Sequence, residues 1–113
     1  MEDCIFCKIV NGQIPSEKIF ENEDLVAIRD IHPVAPTHIL VLTKSHISTL
    51  NDIKNLSDKV VASLLKSAPQ IARMEGIEND GYRVIINCNK NAGQEIFHLH
   101  MHILGGRKLG SMG

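Results

Sequence analysis

The chain has almost no net charge, no long apolar run and too few cysteines for a disulfide framework, and each shortage removes a class of function. Twelve Lys and Arg stand against thirteen Asp and Glu, a net charge of −1 over 113 residues. The basic residues are scattered singly, so the stripe that a phosphate backbone demands is missing and no nucleic-acid partner is expected. No apolar run approaches the ~18 residues needed to span a bilayer, so no membrane partner is expected either. Met1-Glu2-Asp3-Cys4 opens acidic, without the basic start and apolar stretch of a signal peptide. Three cysteines, an odd number, argue against a secreted scaffold. A cytoplasmic protein is expected. Repeats, low-complexity segments and linkers are also missing, so residues 1–113 are expected to form one domain.

What is present reads as alternating short elements. Asp3 to Asn11 carries Ile5, Phe6, Ile9 and Val10 in a short amphipathic pattern ending at Gly12, which predicts a brief N-terminal helix. Ile14-Pro15-Ser16 is a turn, and Lys18 to Phe20 is a short edge strand. Leu25 to Asp30 alternates weakly and predicts a strand. Asp30 to His38 holds Pro33 and Pro36 and reads as a loop. Ile39 to Thr43 is a continuous apolar run suited to a buried strand. Ser57 is a good N-cap for a helix whose stripe runs Val60, Val61, Leu64, Leu65, Ala68, Ile71, Ala72 and which Gly76 closes. Pro69 inside it predicts a kink. Tyr82 to Cys88 is a strand, with Cys88 as core, and Asn89 to Gly93 a turn. The order predicts an α+β fold with an antiparallel sheet.

The densest chemistry lies in His98-Leu99-His100-Met101-His102-Ile103-Leu104. Strand side chains alternate faces, so three imidazoles share one face and three apolar residues the other. Imidazole carries protons near neutral pH and is a competent nucleophile. Three roles compete for the row: metal ligation, acid–base catalysis, and covalent catalysis on phosphorus. Glycines flank it at Gly93-Gln94 and Gly105-Gly106-Arg107, where the backbone can approach a ligand closely. Asn87 closes the neighbouring strand, within reach of a phosphate or simply of its own backbone. Cys4-Ile5-Phe6-Cys7 spells C-x-x-C, read either as half of a zinc site or as two inert thiols. No thioredoxin-like pattern follows it. His46 and His98 are the best available ligands to complete a Cys2His2 set.

The alternating pattern from His98 to Leu104 resembles the signature of the histidine triad superfamily of nucleotide hydrolases and transferases. Cys4-Ile5-Phe6-Cys7-Lys8-Ile9, Ile14-Pro15, Asp30-Ile31, Ala35-Pro36-Thr37-His38, Lys44-Ser45-His46-Ile47 and Leu104-Gly105-Gly106-Arg107 extend the likeness to its Hint branch. The resemblance implies a five-stranded antiparallel sheet with one long and one short helix, paired into a homodimer with a ten-stranded sheet. It implies hydrolysis of purine nucleoside phosphoramidates through a nucleotidyl-histidine. His100 matches the nucleophile, His102 a contact to phosphate and leaving group, and His38 a residue that orients the nucleophile. Asn87 matches a phosphate contact and Asp30 the acid on the ribose hydroxyls. Ile5, Phe6, Ile9, Ile28, Ile31 and Leu40 match positions that enclose the base, and Gly93 and Gln94 are taken as further nucleotide-binding residues.

Cys4 and Cys7 resemble bacterial members that carry zinc, which implies a structural zinc on Cys4, Cys7, His46 and His98. Glu95 stands where many Hint proteins have serine, and the tail after Arg107 lacks the aromatic-proline end of eukaryotic members. Two other functions remain open: a dinucleoside polyphosphate hydrolase, and a nucleotide-binding or scaffold protein with incidental turnover. A row of three histidines favours catalysis, since binding a nucleotide needs no nucleophile between two imidazoles.

Overall fold

The computed structural model describes residues 3–113, so Met1 and Glu2 of the acidic opening lie outside the described residues. Helix α1 spans Ile5–Val10. Strands β1 (Lys18–Glu21), β2 (Leu25–Arg29) and β3 (Thr37–Thr43) follow, then helix α2 (Asp58–Met74), β4 (Tyr82–Ile85) and β5 (His100–Gly105). Two short 3-10 turns, Leu50–Asn55 and Lys90–Ala92, join the later elements. The five strands form one antiparallel sheet in the order β1-β2-β3-β5-β4.

The two sheet faces bury different partners. Leu25, Ala27, Ile39, Val41, Leu99, Met101 and Ile103 pack against Leu64, Ala68, Ile71 and Ala72 of α2. On the other face Val26, Ile28, Leu40 and Leu42 pack against Phe6 and Ile9 of α1. All seven residues of β3 are therefore buried. A strand covered on both sides loses its polar alternation, which is why β2 alternates only weakly and β3 reads as an apolar run.

Local chemistry sets the ends. The Asn22 side-chain carbonyl accepts from the Asp24 and Leu25 N–H groups at 2.8 and 2.9 Å, closing the β1–β2 turn. Ser57 Oγ accepts from the Val60 N–H at the start of α2. At its end Gly76, with φ +73°, lets its own N–H reach the Arg73 carbonyl and that of Ile77 the Ala72 carbonyl. This double return is the left-handed termination glycine permits. Arg29 Nη1 and Nη2 then grip the Glu75 carboxylate at 2.6 and 2.8 Å, tying the end of α2 to β2.

Several boundaries differ from expectation. β3 begins at Thr37, two residues early, because both prolines lie before it and nothing stops Thr37 from pairing with Gly105. His38 therefore belongs to the strand. β4 stops at Ile85, opposite His102, and residues 86–88 leave the sheet towards the turn where Asn89 adopts φ 68°. Cys88 is thus half-buried outside any strand rather than core. β5 begins at His100, with His98 and Leu99 just before it. Helix α2 runs unbroken through Pro69. The 3-10 turn at Leu50–Asn55, capped reciprocally by Thr49 and Asp52, has no counterpart in the sequence expectation. No helix among the described residues is long and apolar enough to cross a membrane.

Candidate active site and metal centre

Register brings the histidines together. β5 pairs Leu42 with His100 and Leu40 with His102, while His38 lies opposite Leu104, one pleat along. Met101 and Ile103 face α2, so His100 and His102 face the α1 side. His38 on β3 is then a diagonal neighbour of His102, close enough for side-chain contact. Their rings meet, His38 Nε2 lying 2.9 Å from His102 Nδ1. Asp30, just beyond β2, places Oδ2 3.4 Å from His38 Nε2.

Fixed neighbours decide which nitrogen carries each proton. His100 Nδ1 lies 2.7 Å from the His98 carbonyl. A carbonyl only accepts, so Nδ1 is the N–H and the Nε2 lone pair is free to attack an electrophile. The Val34 backbone N–H donates to His38 Nδ1 at 3.1 Å. His38 must then carry its proton on Nε2 and donate it to His102 Nδ1. That leaves His102 Nε2 as the N–H. One ring of the pair offers a lone pair and its neighbour a proton donor, the complement needed to attack phosphorus and receive a leaving group.

Burial keeps these rings neutral. It lowers the proton affinity of His38 and His100, partly offset by Asp30 at His38 and by the His98 carbonyl and then Asp30 at His100. Burial and the neighbouring His100 and His38 push His102 down to about 4. The Asp30, His38 and His102 donor atoms are also close enough to hold a cation. A cation on His38 Nε2 would force the ring proton onto Nδ1, against the Val34 N–H. The geometry therefore suits a proton-bearing chain better than a metal.

A cavity of about 130 Å³ opens on this face, lined by Phe6, Asp30, Leu40, Asn87, Gly93, Glu95, Ile96, His100 and His102. The Phe6 ring meets His100 edge-on, centroids 4.9 Å apart. The volume suits a phosphoryl group rather than a whole nucleotide. Of the remaining expected contacts, Ile9 and Ile28 are buried behind Phe6 and Leu40. Ile5 and Ile31 stand outside, 44% and 85% exposed. The Gln94 amide turns inward, donating to the Ser48 and Ile96 carbonyls and accepting from the Asn89 N–H, so it holds the loop. Ile96 was missed, although it shares the parity of His98, His100 and His102. A larger cleft of about 770 Å³ beside Gly76, Asp80 and Gly106 contains no histidine or thiol.

The third histidine of the row looks elsewhere. His98 Nε2 lies 2.6 Å from the Thr43 carbonyl and so donates to it. Its Nδ1 lone pair faces Cys4 Sγ at 3.3 Å, Cys7 Sγ at 3.5 Å and His46 Nδ1 at 3.1 Å. Cys7 Sγ lies 3.3 Å from His46 Nδ1. Tetrahedral zinc ligands, bound at about 2.0–2.3 Å, lie roughly 3.3–3.8 Å apart. The four donors fit such an ion. The Thr43 carbonyl supplies the outer hydrogen bond that orients a ligating imidazole.

Comparison with known proteins agrees with this geometry. Residues 11–109 match the model of the HIT domain family. The chain is 45% identical over 111 residues to the purine nucleoside phosphoramidase of Escherichia coli K12, covering 98% of this chain and 93% of that protein. A histidine triad protein from Clostridium difficile superposes with a TM-score of 0.94 at 45% identity, covering 100% and 98% of the two chains. A zinc-bound histidine triad family protein from Mycobacterium smegmatis superposes at 0.82, with 36% identity, covering 94% of this chain and 76% of that one.

The neutral histidines make stability depend on pH in a definite direction. Between about 6.5 and 4 the unfolded chain takes up a proton that folded His102 refuses, so the folded state loses stability as pH falls through that window. Denaturant midpoints measured from pH 7.5 to 4 should fall steadily below about 6.5. A flat profile over that range would refute the burial of these rings as neutral groups.

Proposed function

The chain belongs to the HIT domain family, and from that premise we propose that it is a hydrolase of purine nucleoside phosphoramidates. The carrying observation is a pair of ring contacts in one cavity, His100 Nδ1 on the His98 carbonyl and His102 Nδ1 on His38 Nε2, which leave a free Nε2 on His100 beside an N–H on His102. In this reading Asp30 accepts from the ribose hydroxyls, since a carboxylate offers two acceptors to a vicinal diol. Phe6 and Leu40, backed by Ile9 and Ile28, form the inner end of a base slot that opens outward from the phosphoryl-sized cavity, with Ile5 and Ile31 at its mouth. Apolar walls do not read the base edge, so adenine and guanine are both accepted. Asn87 and the Gly93–Gln94 turn lie against the phosphate.

His100 Nε2 attacks phosphorus in line with the departing amine. As the P–N bond breaks, its electron pair goes to nitrogen, which accepts a hydrogen bond from His102 Nε2–H and takes its proton from a water molecule. The hydroxide left by that water adds its oxygen to the phosphorus of the nucleotidyl-imidazole. The bond from phosphorus to His100 then breaks, its electron pair returns to Nε2, and the nucleotide is released. His100→Ala should reduce turnover of an AMP–tryptamine phosphoramidate by at least about a hundredfold while AMP binding changes little. Retained turnover in that variant would refute the nucleophile. Comparable rates on a dinucleoside polyphosphate would move the assignment to that substrate.

Zinc held by Cys4, Cys7, His46 and His98 would cross-link α1 to the sheet, beside the carbonyl that orients His100. Protein purified without chelator should contain about one zinc per chain. Cys4→Ser should release it and lower the melting temperature, with a smaller loss of turnover than His100→Ala. Absence of metal, together with a melting temperature unmoved by chelator, would leave two ordinary thiols.

The chain acts as a homodimer in this reading. β4 ends the sheet and pairs only with β5 among the described residues, and Val84 on it is exposed with Leu65 and Met74 of α2. Pairing β4 with its copy would extend the sheet to ten strands and cover an open edge. Sedimentation at micromolar concentration should show a dimer. An active monomer there would contradict it.

A further inference from the structure

Arg107 lies outside the cavity, yet a chain of hydrogen bonds leads from it to the reacting face. Its Nη2 donates to the Val34 carbonyl at 2.9 Å, and Nη1 to the Lys108 carbonyl at 2.9 Å. The Val34 N–H donates to His38 Nδ1, and His38 Nε2 meets His102 Nδ1. The segment from Ile31 to Val34 is exposed throughout, Val34 itself by 61%, so burial cannot hold the Val34 N–H in place. Polar contacts and the C-terminal segment do. Gly106, at φ +95°, lies so close to Pro36 that an added Cβ would come within 2.8 Å of the proline ring. The Gly-Arg pair after β5 thus seats the proline loop twice, at Pro36 by close approach and at Val34 by the guanidinium.

We propose that Arg107 is a positioning residue for the reaction: by holding the Val34 carbonyl it restrains the residue whose N–H, in the preceding peptide unit, locks the His38 tautomer, and thereby makes His102 present an N–H to the leaving group. Asp30 Oδ2, 3.4 Å from His38 Nε2, favours the same tautomer, so loosening the clamp leaves a mixture in which part of His38 carries its proton on Nδ1. His102 Nδ1 then loses its donor, and the ring can turn its lone pair towards the substrate. This inference rests on the phosphoramidase reading for its kinetic consequence, but its structural core does not.

The test reads both. Long-range 15N–1H NMR of the folded wild type should show His38 with a bare Nδ1 and a protonated Nε2. In Arg107→Ala the two signals should move towards averaged values, and Arg107→Lys, which keeps one donor, should restore much of the difference. Arg107→Gln gives a second, milder reading should the alanine variant fold poorly. With an alkylamine phosphoramidate of AMP, kcat in Arg107→Ala should fall about three- to tenfold, the scale of one net hydrogen bond, with a smaller change in KM. With the p-nitrophenyl ester of AMP, whose leaving group needs no proton, kcat should change by less than about twofold. An unaltered His38 tautomer, or equal losses on both substrates, would overturn the proposal. A wild type that hydrolyses neither substrate would instead overturn the phosphoramidase reading, and the His38 signals would still decide the role of Arg107.

Discussion

The antiparallel register between β3 and β5 is the constraint on which the rest depends. It sets Leu40 against His102 and Leu42 against His100, and so fixes which face of the central pair is apolar and which is chemical. A slip of one residue would turn the imidazoles into the α2 core and expose Met101 and Ile103 to the cavity. The penalty on such a slip is high because Ile39, Val41, Met101 and Ile103 are completely buried. Large-to-polar changes at such positions lose transfer free energy and leave unsatisfied groups. The packing of α2 therefore protects the alignment of residues that it never touches.

On that frame, backbone groups do much of the chemical selection. The His98 carbonyl, the Val34 N–H and the Thr43 carbonyl each meet one ring nitrogen of a histidine. Each is held by the fold and cannot change its own protonation. Each therefore determines where its partner's proton sits, at a cost lower than that of a buried carboxylate in the same place. The same logic divides the histidine row. His98 gives its Nε2–H to Thr43 and turns a lone pair to the thiols. His100, two residues on, gives its Nδ1–H to the peptide of His98 and turns a lone pair to the cavity. The thiol cluster and His100 are thus coupled through one residue, His98.

Helix α1 serves both centres. Its six residues bring few buried side chains of their own, too little to anchor a helix by packing alone. Cys4 and Cys7 face the imidazoles of His46 and His98, while Phe6 between them lies against His98 and His100. Whatever holds the thiols also holds one wall of the cavity. That arrangement explains why a C-x-x-C motif with no redox partner sits beside a phosphate-sized pocket.

Much of the site was legible from local pattern. Period-two alternation assigned His100 and His102 to one face and Met101 and Ile103 to the other, because strand geometry alone dictates it. The same parity would have found Ile96. Ser57 and Gly76 marked the ends of α2 because capping is a local matter. Other features required the fold. β4 stops at Ile85, where the chain leaves the sheet for the turn at Asn89 although β5 runs on to His100 beside Leu42, and His38 joins β3 because Gly105, far along the chain, is opposite Thr37. The sequence by itself determined which residue types could do chemistry and on which face of their strands they stand, since those follow from bond geometry over a few residues. Only the tertiary structure decided which nitrogen of each histidine bears a proton, that His98 presents Nδ1 rather than Nε2 to Cys4 and Cys7, and that Arg107 reaches Val34. Those outcomes depend on groups 73 to 94 residues apart in some cases, and only the closed sheet brings them within hydrogen-bonding distance.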